Sequence, residues 1–253
     1  MSGPVLVERE SVPDGHLLKV TLSRPEARNA MDTAMLAALA DVLDTAVHEE
    51  GLRGLLLVGA GGHFSAGADV REDTGDAGRR RMELFTVVYE LLTNLPVPTA
   101  AAVEGYAVGG GAEAAAACDL RAVARGATFR FPGARYGIPV GVARTVGLVG
   151  LGTAKDWVMS TRDVPATEAH AAGLAQRLTE DGGAEAAARA WLVEVATRDP
   201  ATVQLLKQLF NDTSSSLRDR VAFENDALRS QAETGALPQL GSDLPRTVRP
   251  RRR

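Results

Sequence analysis

One glycine-rich stretch with a single acid, residues 105–113, contains the groups best suited to chemistry. Three consecutive glycines, residues 109–111, follow a predicted strand and precede an alanine-rich helix. Backbone N–H groups at the start of a helix have no partner within it, so they can bind an anion. Because the Glu113 carboxylate lies just inside the helix, this stretch predicts a site that holds negative charge and moves a proton.

A second glycine-rich loop, residues 59–69, follows the continuous apolar run of residues 54–58. Such a run predicts a strand covered on both faces, and loops held by a rigid scaffold often carry function. The loop does not fit a dinucleotide site, because Phe64 replaces the third glycine and arginines at 79–81 replace the ribose-binding acid. No Gly-Lys-Ser/Thr sequence follows a glycine cluster, which excludes a P-loop.

Other catalytic and metal-binding patterns are also absent from the sequence. Ser65 lies outside a G-x-S-x-G nucleophile elbow, and the four histidines are scattered at 16, 48, 63 and 170 without zinc spacing. Cys118, the only cysteine, cannot form an intrachain disulfide. We predict that it is a small buried side chain on a strand and not a catalytic thiol.

Length and composition predict one enzyme-sized globular unit in the cytoplasm. The 253 residues, 45% of them hydrophobic, can bury a large core, and the net charge of -4 gives no reason to expect a nucleic-acid partner. The arginines near the C-terminus predict a solvated tail. Residues 1–12 do not resemble a signal peptide, and no apolar run has the length of a membrane span.

Hydrophobic periodicity predicts alternating strands and helices in the first half of the chain and mostly helices in the second. The predicted strands are residues 5–8, 16–23, 54–58, 99–104, 118–124 and 128–131. A mobile charged stretch, residues 71–81, is predicted to lead into a helix ending near residue 94. The other predicted helices are residues 32–49, with Asp32 as N-cap, the alanine-rich segment after residue 111, 142–149, 153–160, 166–172, 184–198, 200–211 and 216–233.

Together, residues 64–69, residues 105–113, the Cys118-Asp119 pair and residues 167–175 resemble the crotonase superfamily of enoyl-CoA hydratases and isomerases. The motifs occur in the family's order and spacing. The resemblance implies an α/β fold, a crotonase-type spiral of ββα units over residues 1–195. A C-terminal helical region with a basic tail, residues 196–253, would follow the spiral. It also implies a homotrimer or a dimer of trimers.

The function implied by the resemblance is that of an acyl-CoA enzyme with no cofactor other than the CoA of its substrate. By position, the backbone N–H groups of Ala68 and Gly110 would donate to the thioester oxygen as it becomes an enolate. Glu113 matches one of the family's two catalytic glutamates and would act as general acid and base. An acid without a partner in an apolar pocket has a raised pKa, which suits proton transfer.

The resemblance also implies CoA-binding and substrate-binding positions. These are Arg24, Ala27, Arg28, Ala66, Asp69, Val70, Gly109 and Tyr136. Arg24 and Arg28 could contact phosphate, or could equally be solvated surface side chains. Asp69 fits a loop brace better than a catalytic acid, and Tyr136 fits a structural role better than donation to an enolate.

The sequence departs from the family pattern in the tail of residues 237–253, whose prolines do not fit the family's usual closing helix, and at one position of the site. The second glutamate should follow a proline, but Gly133 follows Pro132. Its absence counts against simple hydration and against double-bond isomerisation, unless Asp73, Glu83 or Glu168 replaces it. On family prevalence we rank an enoyl-CoA hydratase-like reaction first. The alternatives are isomerisation, decarboxylation or hydrolysis of a CoA thioester, or acyl-CoA binding without turnover.

Overall fold

The computed structural model describes residues 3–72, 75–213, 221–222, 224–226 and 229–230. The strands are β1 (Val5–Val12), β2 (Gly15–Leu22), β3 (Leu52–Gly59), β4 (Thr99–Val103), β5 (Tyr106–Val108), β6 (Leu120–Ala124), β7 (Thr128–Arg130), β8 (Val164–Pro165) and β9 (Arg177–Thr179). The helices are α1 (Thr33–Val47), α2 (Asp76–Asn94), α3 (Gly110–Ala117), α4 (Val142–Ser160), α5 (Ala166–Ala171), α6 (Ala184–Ala196) and α7 (Pro200–Thr213).

Two sheets of unequal size organise the chain. The large sheet has the order β1-β2-β3-β4-β6-β9, in which only the β1–β2 pair is antiparallel. The small sheet has the order β5-β7-β8, with β5 parallel to β7. Because β3 and β4 are parallel neighbours, the loops that follow them start at the same edge of the sheet. This edge brings the two glycine-rich loops together.

Strand β3 is covered on both faces, as its continuous apolar sequence predicts. Leu55 and Leu57 belong to the main core, which includes the apolar stripe of α1. Leu56 and Val58 point the other way and pack with Leu192 and the alanines of α6. Alternate side chains of a strand face opposite sides of the sheet, so both faces need a helical layer.

The predicted cap of α1 is confirmed. The Asp32 carboxylate accepts a hydrogen bond from the Met35 N–H at 2.8 Å, which satisfies one of the donors that a helix start leaves open. The helix ends at Val47, two residues before the predicted end. Among the described residues, no helix combines the length and the apolar character needed to span a membrane.

Several boundaries differ from the sequence prediction. Strands β5, β8 and β9, which have two or three residues each, were not predicted. Cys118 is buried as expected, but it lies at the C-terminal end of α3 and not on a strand. α2 begins at Asp76, so the second half of the charged stretch predicted to be mobile is helical. The two helices predicted over 142–149 and 153–160 are confirmed as two helical segments of α4, which meet at the non-helical Gly150.

The C-terminal part of the prediction is only partly covered. Most of the helix predicted over residues 216–233 lies outside the described residues, and the tail over 237–253 lies wholly outside them. The division of the chain near residue 195 stays a prediction.

Candidate active site

The two glycine-rich loops contact each other through Ser65 and Gly67. The Val108 N–H donates to the Ser65 carbonyl at 3.0 Å, and the Ser65 N–H donates to the Tyr106 carbonyl at 2.9 Å. Gly67 has φ of 84°, and a Cβ there would lie 2.4 Å from the Val108 carbonyl oxygen. Only glycine fits this position, because the backbones of the two loops approach too closely for a side chain.

This contact places two free backbone donors beside one cavity. The N–H groups of Ala68 and Gly110 have no acceptor among the described residues. Three neighbouring N–H groups are used inside the protein: that of Gly67 with Ser65 Oγ, that of Asp69 with the Met31 carbonyl, and that of Gly109 with the Arg130 carbonyl. Gly110 is also the first residue of α3, so the helix dipole adds positive potential there. Both residues line the cavity and can receive an anionic oxygen.

The cavity has a volume of about 130 Å³ and a mostly apolar wall. Its lining consists of Ala66, Ala68, Val70, Met82, Phe85, Tyr89, Val108, Gly109, Gly110, Pro132, Gly133, Tyr136, Ile138 and Val140. No described residue in this wall carries a carboxylate, and tyrosines supply its only side-chain hydroxyl groups. The predicted acid is therefore not on the cavity wall itself.

Glu113 lies behind the wall, in the first turn of α3, with 1% of its surface exposed. Its Oε2 atom is 3.2 Å from Nη1 of Arg144, and its Oε1 atom has no hydrogen-bond partner among the described residues. A Cβ on Gly141 would lie 3.5 Å from Oε1, so this oxygen faces the segment that carries the lining residues Ile138 and Val140.

Burial is the main cause of the unusual acidity of Glu113. Desolvation, reinforced by the nearby Glu224 carboxylate, raises the pKa of Glu113 from 4.5 to about 7, although the Arg144 guanidinium opposes the rise. A carboxyl group with such a pKa can both accept and donate a proton near neutral pH.

Arg144 and Glu224 were not singled out from the sequence. Arg144 is 2% exposed and lies in α4, where a charged residue within a buried helical stripe is the signal that could have revealed it. Glu224 is 5% exposed, and its oxygen Oε2 accepts from the N–H groups of Val142 and Ala143 at the start of α4. The sequence gives no comparable signal for Glu224.

Gly133 lies on the cavity wall, where the family's second glutamate would be expected. A Cβ at this position would lie 2.5 Å from the Ile138 carbonyl oxygen and 2.8 Å from a methyl group of Val140. The space for a side chain is therefore filled by the segment that follows. Neither Glu83 nor Glu168 lines the cavity, and Asp73 lies outside the described residues.

Four of the residues expected to bind substrate line the cavity: Ala66, Val70, Gly109 and Tyr136. Ala27 ends a single 3₁₀ turn, Pro25–Ala27, and does not line it. Arg28 is exposed, and its guanidinium carbon lies 5.6 Å from the centre of the Tyr106 ring. Its predicted contact with phosphate stays a prediction.

Arg24 and Asp69 brace the loops instead of facing the cavity as free charges. The Arg24 guanidinium donates to the Ala30 carbonyl at 2.7 Å and to Asp69 at 3.0 Å, and lies 2.9 Å from Asp32. Asp69 also accepts from the backbone and side chain of Arg71. Burial alone would raise the pKa of Asp69, but the hydrogen bonds from Arg71 and Arg24 lower it to about 2. This geometry favours the brace for both residues.

The site thus combines two backbone donors that have no acceptor among the described residues with a buried glutamate nearby. The sequence matches the profile of the Enoyl-CoA hydratase/isomerase family over residues 14–236. The chain belongs to this family, which confirms the predicted crotonase resemblance and fold. It is therefore an acyl-CoA enzyme of the enoyl-CoA hydratase type.

Its relatives carry out more than one reaction, according to their names. Cyclohexa-1,5-dienecarbonyl-CoA hydratase of Thauera aromatica is 38% identical over 73% of this chain and 71% of its own length. Short-chain-enoyl-CoA hydratase of Clostridium acetobutylicum is 32% identical over 88% of this chain and 87% of its own. A solved monofunctional enoyl-CoA isomerase from M. smegmatis has a TM-score of 0.72 at 28% identity, covering 84% and 94% of the two chains.

Proposed function

We propose that this protein binds the acyl group of a CoA thioester in the cavity, with the thioester oxygen between the N–H groups of Ala68 and Gly110. The reaction is hydratase-like, and Glu113 is its general acid and base. The observation that carries this proposal is the pair of backbone donors that have no acceptor among the described residues and meet at one cavity. Two relatives named as hydratases of CoA thioesters support the choice of reaction.

One carboxyl group can complete the hydration of an enoyl thioester. Glu113 takes a proton from water while the water oxygen bonds to the β-carbon. The electron pair of the double bond then forms an enolate, whose charge rests on the thioester oxygen between the two N–H groups. Protonated Glu113 returns the proton to the α-carbon, which regenerates its carboxylate. The cycle needs no other reactant, so CoA in the substrate is the only cofactor-like group that we propose.

A second group of functions is supported by the enclosure of Glu113. Its carboxylate is paired with Arg144 and is not among the groups that line the cavity. An isomerase, decarboxylase or thioester hydrolase could use the same backbone donors with different proton carriers. Acyl-CoA binding without turnover would need the donors alone.

We further propose a homotrimer, or a dimer of trimers, acting in cytoplasmic fatty acid metabolism. The apolar side chains Leu205, Leu206, Leu209 and Phe210, each about half exposed or more, support an interface on α7. A single buried cysteine suits a reducing compartment.

Two assays on the purified protein test the proposed reaction. Crotonyl-CoA should be hydrated, which is followed by loss of the enoyl absorbance. Butyryl-CoA in D₂O should exchange its α-hydrogens, which is followed by NMR, because exchange needs only the enolate and one acid. Exchange without hydration would favour another enolate-forming reaction. Binding of butyryl-CoA with neither reaction would favour a protein that does not turn over its ligand.

Adding the second glutamate by Gly133→Glu is expected not to improve hydration. The new side chain would collide with the Ile138 carbonyl and with Val140, so the wall must move, at a cost of about 1–3 kcal/mol in unfolding free energy. Urea unfolding and crotonyl-CoA turnover would measure both effects. Gly152→Glu is the control, because a Cβ at Gly152 meets no atom within 4 Å. A faster Gly133→Glu enzyme of unchanged stability would contradict the steric account.

A further inference from the structure

A cluster of three charged side chains lies under the candidate active site. Glu113, Arg144 and Glu224 are 1%, 2% and 5% exposed. Nη1 of Arg144 is 3.2 Å from Oε2 of Glu113 and 3.8 Å from Oε1 of Glu224. Burying two carboxylates around one guanidinium is costly, because water no longer solvates them. Such an arrangement persists only if the surrounding fold holds each group in place.

Glu224 is itself fixed by the start of α4. Its oxygen Oε2 accepts from the Val142 N–H at 2.7 Å and from the Ala143 N–H at 3.2 Å. Gly141, the N-cap residue, has no side chain that could satisfy these donors. Glu224 therefore caps the helix that carries Arg144 and places its second oxygen toward the guanidinium.

Arg144 also contacts the wall of the acyl cavity. Its guanidinium carbon lies 4.8 Å from the centre of the Tyr89 ring, and Tyr89 lines the cavity. The Tyr89 hydroxyl donates to the carbonyl of Gly110 at 3.4 Å. Arg144 is thus in contact with the predicted acid and with the residue that packs against the predicted oxyanion donor.

We propose that Arg144 is a positioning residue for Glu113: it anchors oxygen Oε2, so that Oε1 is the oxygen that exchanges a proton at the cavity. Glu224 holds Arg144 in the orientation that this requires. Oε1 faces Gly141, in the segment whose Ile138 and Val140 line the cavity. This inference rests on the proposed function, because it assigns a partner to the acid of that reaction.

The charges around Glu113 give the two partners opposite effects on its ionisation. The groups that face Glu113 are Arg144 of α4, Glu224, and the Tyr89 hydroxyl of α2. Removing the positive charge of Arg144 raises the pKa of Glu113, since the carboxylate loses its counter-ion. Removing the negative charge of Glu224 lowers that pKa, since the repulsion between two carboxylates disappears.

The test compares Arg144→Met with Glu224→Gln by measuring hydration rates as a function of pH. In Arg144→Met, kcat should fall about tenfold or more, with KM within about twofold, because the acid is misplaced while binding is kept. The limb of the pH profile that requires ionised Glu113 should move to higher pH in Arg144→Met and to lower pH in Glu224→Gln. The proposal would be overturned if this limb stays at the wild-type pH in both variants, or if it moves in the same direction in both.

Glu224→Gln keeps the test decisive if Arg144→Met does not fold. Glutamine retains an oxygen that can accept from the Val142 N–H, so the cap of α4 is preserved. Arg144→Lys should restore part of kcat, because lysine keeps the charge. If kcat of Arg144→Lys is no higher than kcat of Arg144→Met, the result would count against the positioning of Glu113 by Arg144.

A second readout separates this inference from the proposed function. The Glu113 carboxyl can be titrated by NMR in protein labelled with [5-¹³C]glutamate, and its resonance assigned by its loss in Glu113→Gln. If the wild-type protein turns over no thioester, the proposed function fails, and this titration alone decides the role of Arg144. Opposite shifts in the two variants would support it, and unshifted titrations would overturn it.

Discussion

Glu113→Gln is expected to lower kcat for crotonyl-CoA hydration by about a hundred- to ten-thousand-fold, the usual contribution of a general acid-base group. The amide has nearly the same size and keeps an oxygen that can accept from Arg144, but it cannot take a proton from water. Affinity for the thioester should change little, because the amide fills the same space as the carboxyl group. Steady-state kinetics and calorimetric binding of butyryl-CoA would measure the two effects separately.

Glu83→Gln is the matched control for this experiment. Glu83 lies on α2 next to the lining residue Met82, but its side chain is more than half exposed and pairs only loosely with Arg80, at 3.7 Å. Its activity should equal that of the wild type. If Glu113→Gln also keeps wild-type kcat, the proton carrier is another group, and the Tyr136 hydroxyl on the cavity wall becomes the first to test.

The energetic cost of the Glu113 environment is an argument for function. A buried carboxylate costs several kcal/mol unless it is paired and fully hydrogen-bonded. Here one oxygen of Glu113 has no hydrogen-bond partner among the described residues. Two nitrogens of Arg144, Nε and Nη2, also have no partner among them. An apolar pair would fill the same space at lower cost. Retaining the charges is therefore easier to explain by proton transfer than by stability.

The two glycine-rich loops could be predicted from the sequence because they depend on local chemistry, whereas Ala68 and Gly110 were assigned as donors only through the family resemblance. Close backbone approach requires glycine, and this requirement is visible in the spacing of Gly67 and residues 109–111. The buried strand β3 was visible for a similar reason, since its apolar run reflects packing on both faces. The Asp32 cap followed from the preference of carboxylates for helix starts.

The partners of Glu113 could not be predicted in the same way. Arg144 is 31 positions away from Glu113 in the chain, and no local pattern connects a helix start with a side chain in a later helix. The consequence of Gly133 was also hidden. The sequence shows that an acid is missing there, but only the folded chain shows that the Ile138 carbonyl and Val140 occupy its space.

The role of the backbone donors can be tested at Ala68 by replacing its amide with an ester. Incorporating lactic acid at this position keeps the methyl group and removes only the N–H that has no acceptor among the described residues. We expect kcat to fall about a hundred- to thousand-fold, as for other single oxyanion donors, because the charge on the thioester oxygen develops only in the transition state. Crotonyl-CoA hydration and α-hydrogen exchange of butyryl-CoA should fall together, since both pass through the enolate.

The same ester at Ala66 is the matched control. Ala66 also lines the cavity, but its N–H donates to the Arg28 carbonyl at 2.9 Å, within the protein. An ester also weakens the carbonyl that precedes it as a hydrogen-bond acceptor. The ester at position 68 weakens the bond from the Met31 N–H, and the ester at position 66 weakens the bond from the Val108 N–H. Both variants therefore carry the same side effect. The Ala66 ester should lose stability but less than about tenfold in kcat. Equal rate losses in the two esters would show that the loop needs its hydrogen bonds and that Ala68 is not an oxyanion donor.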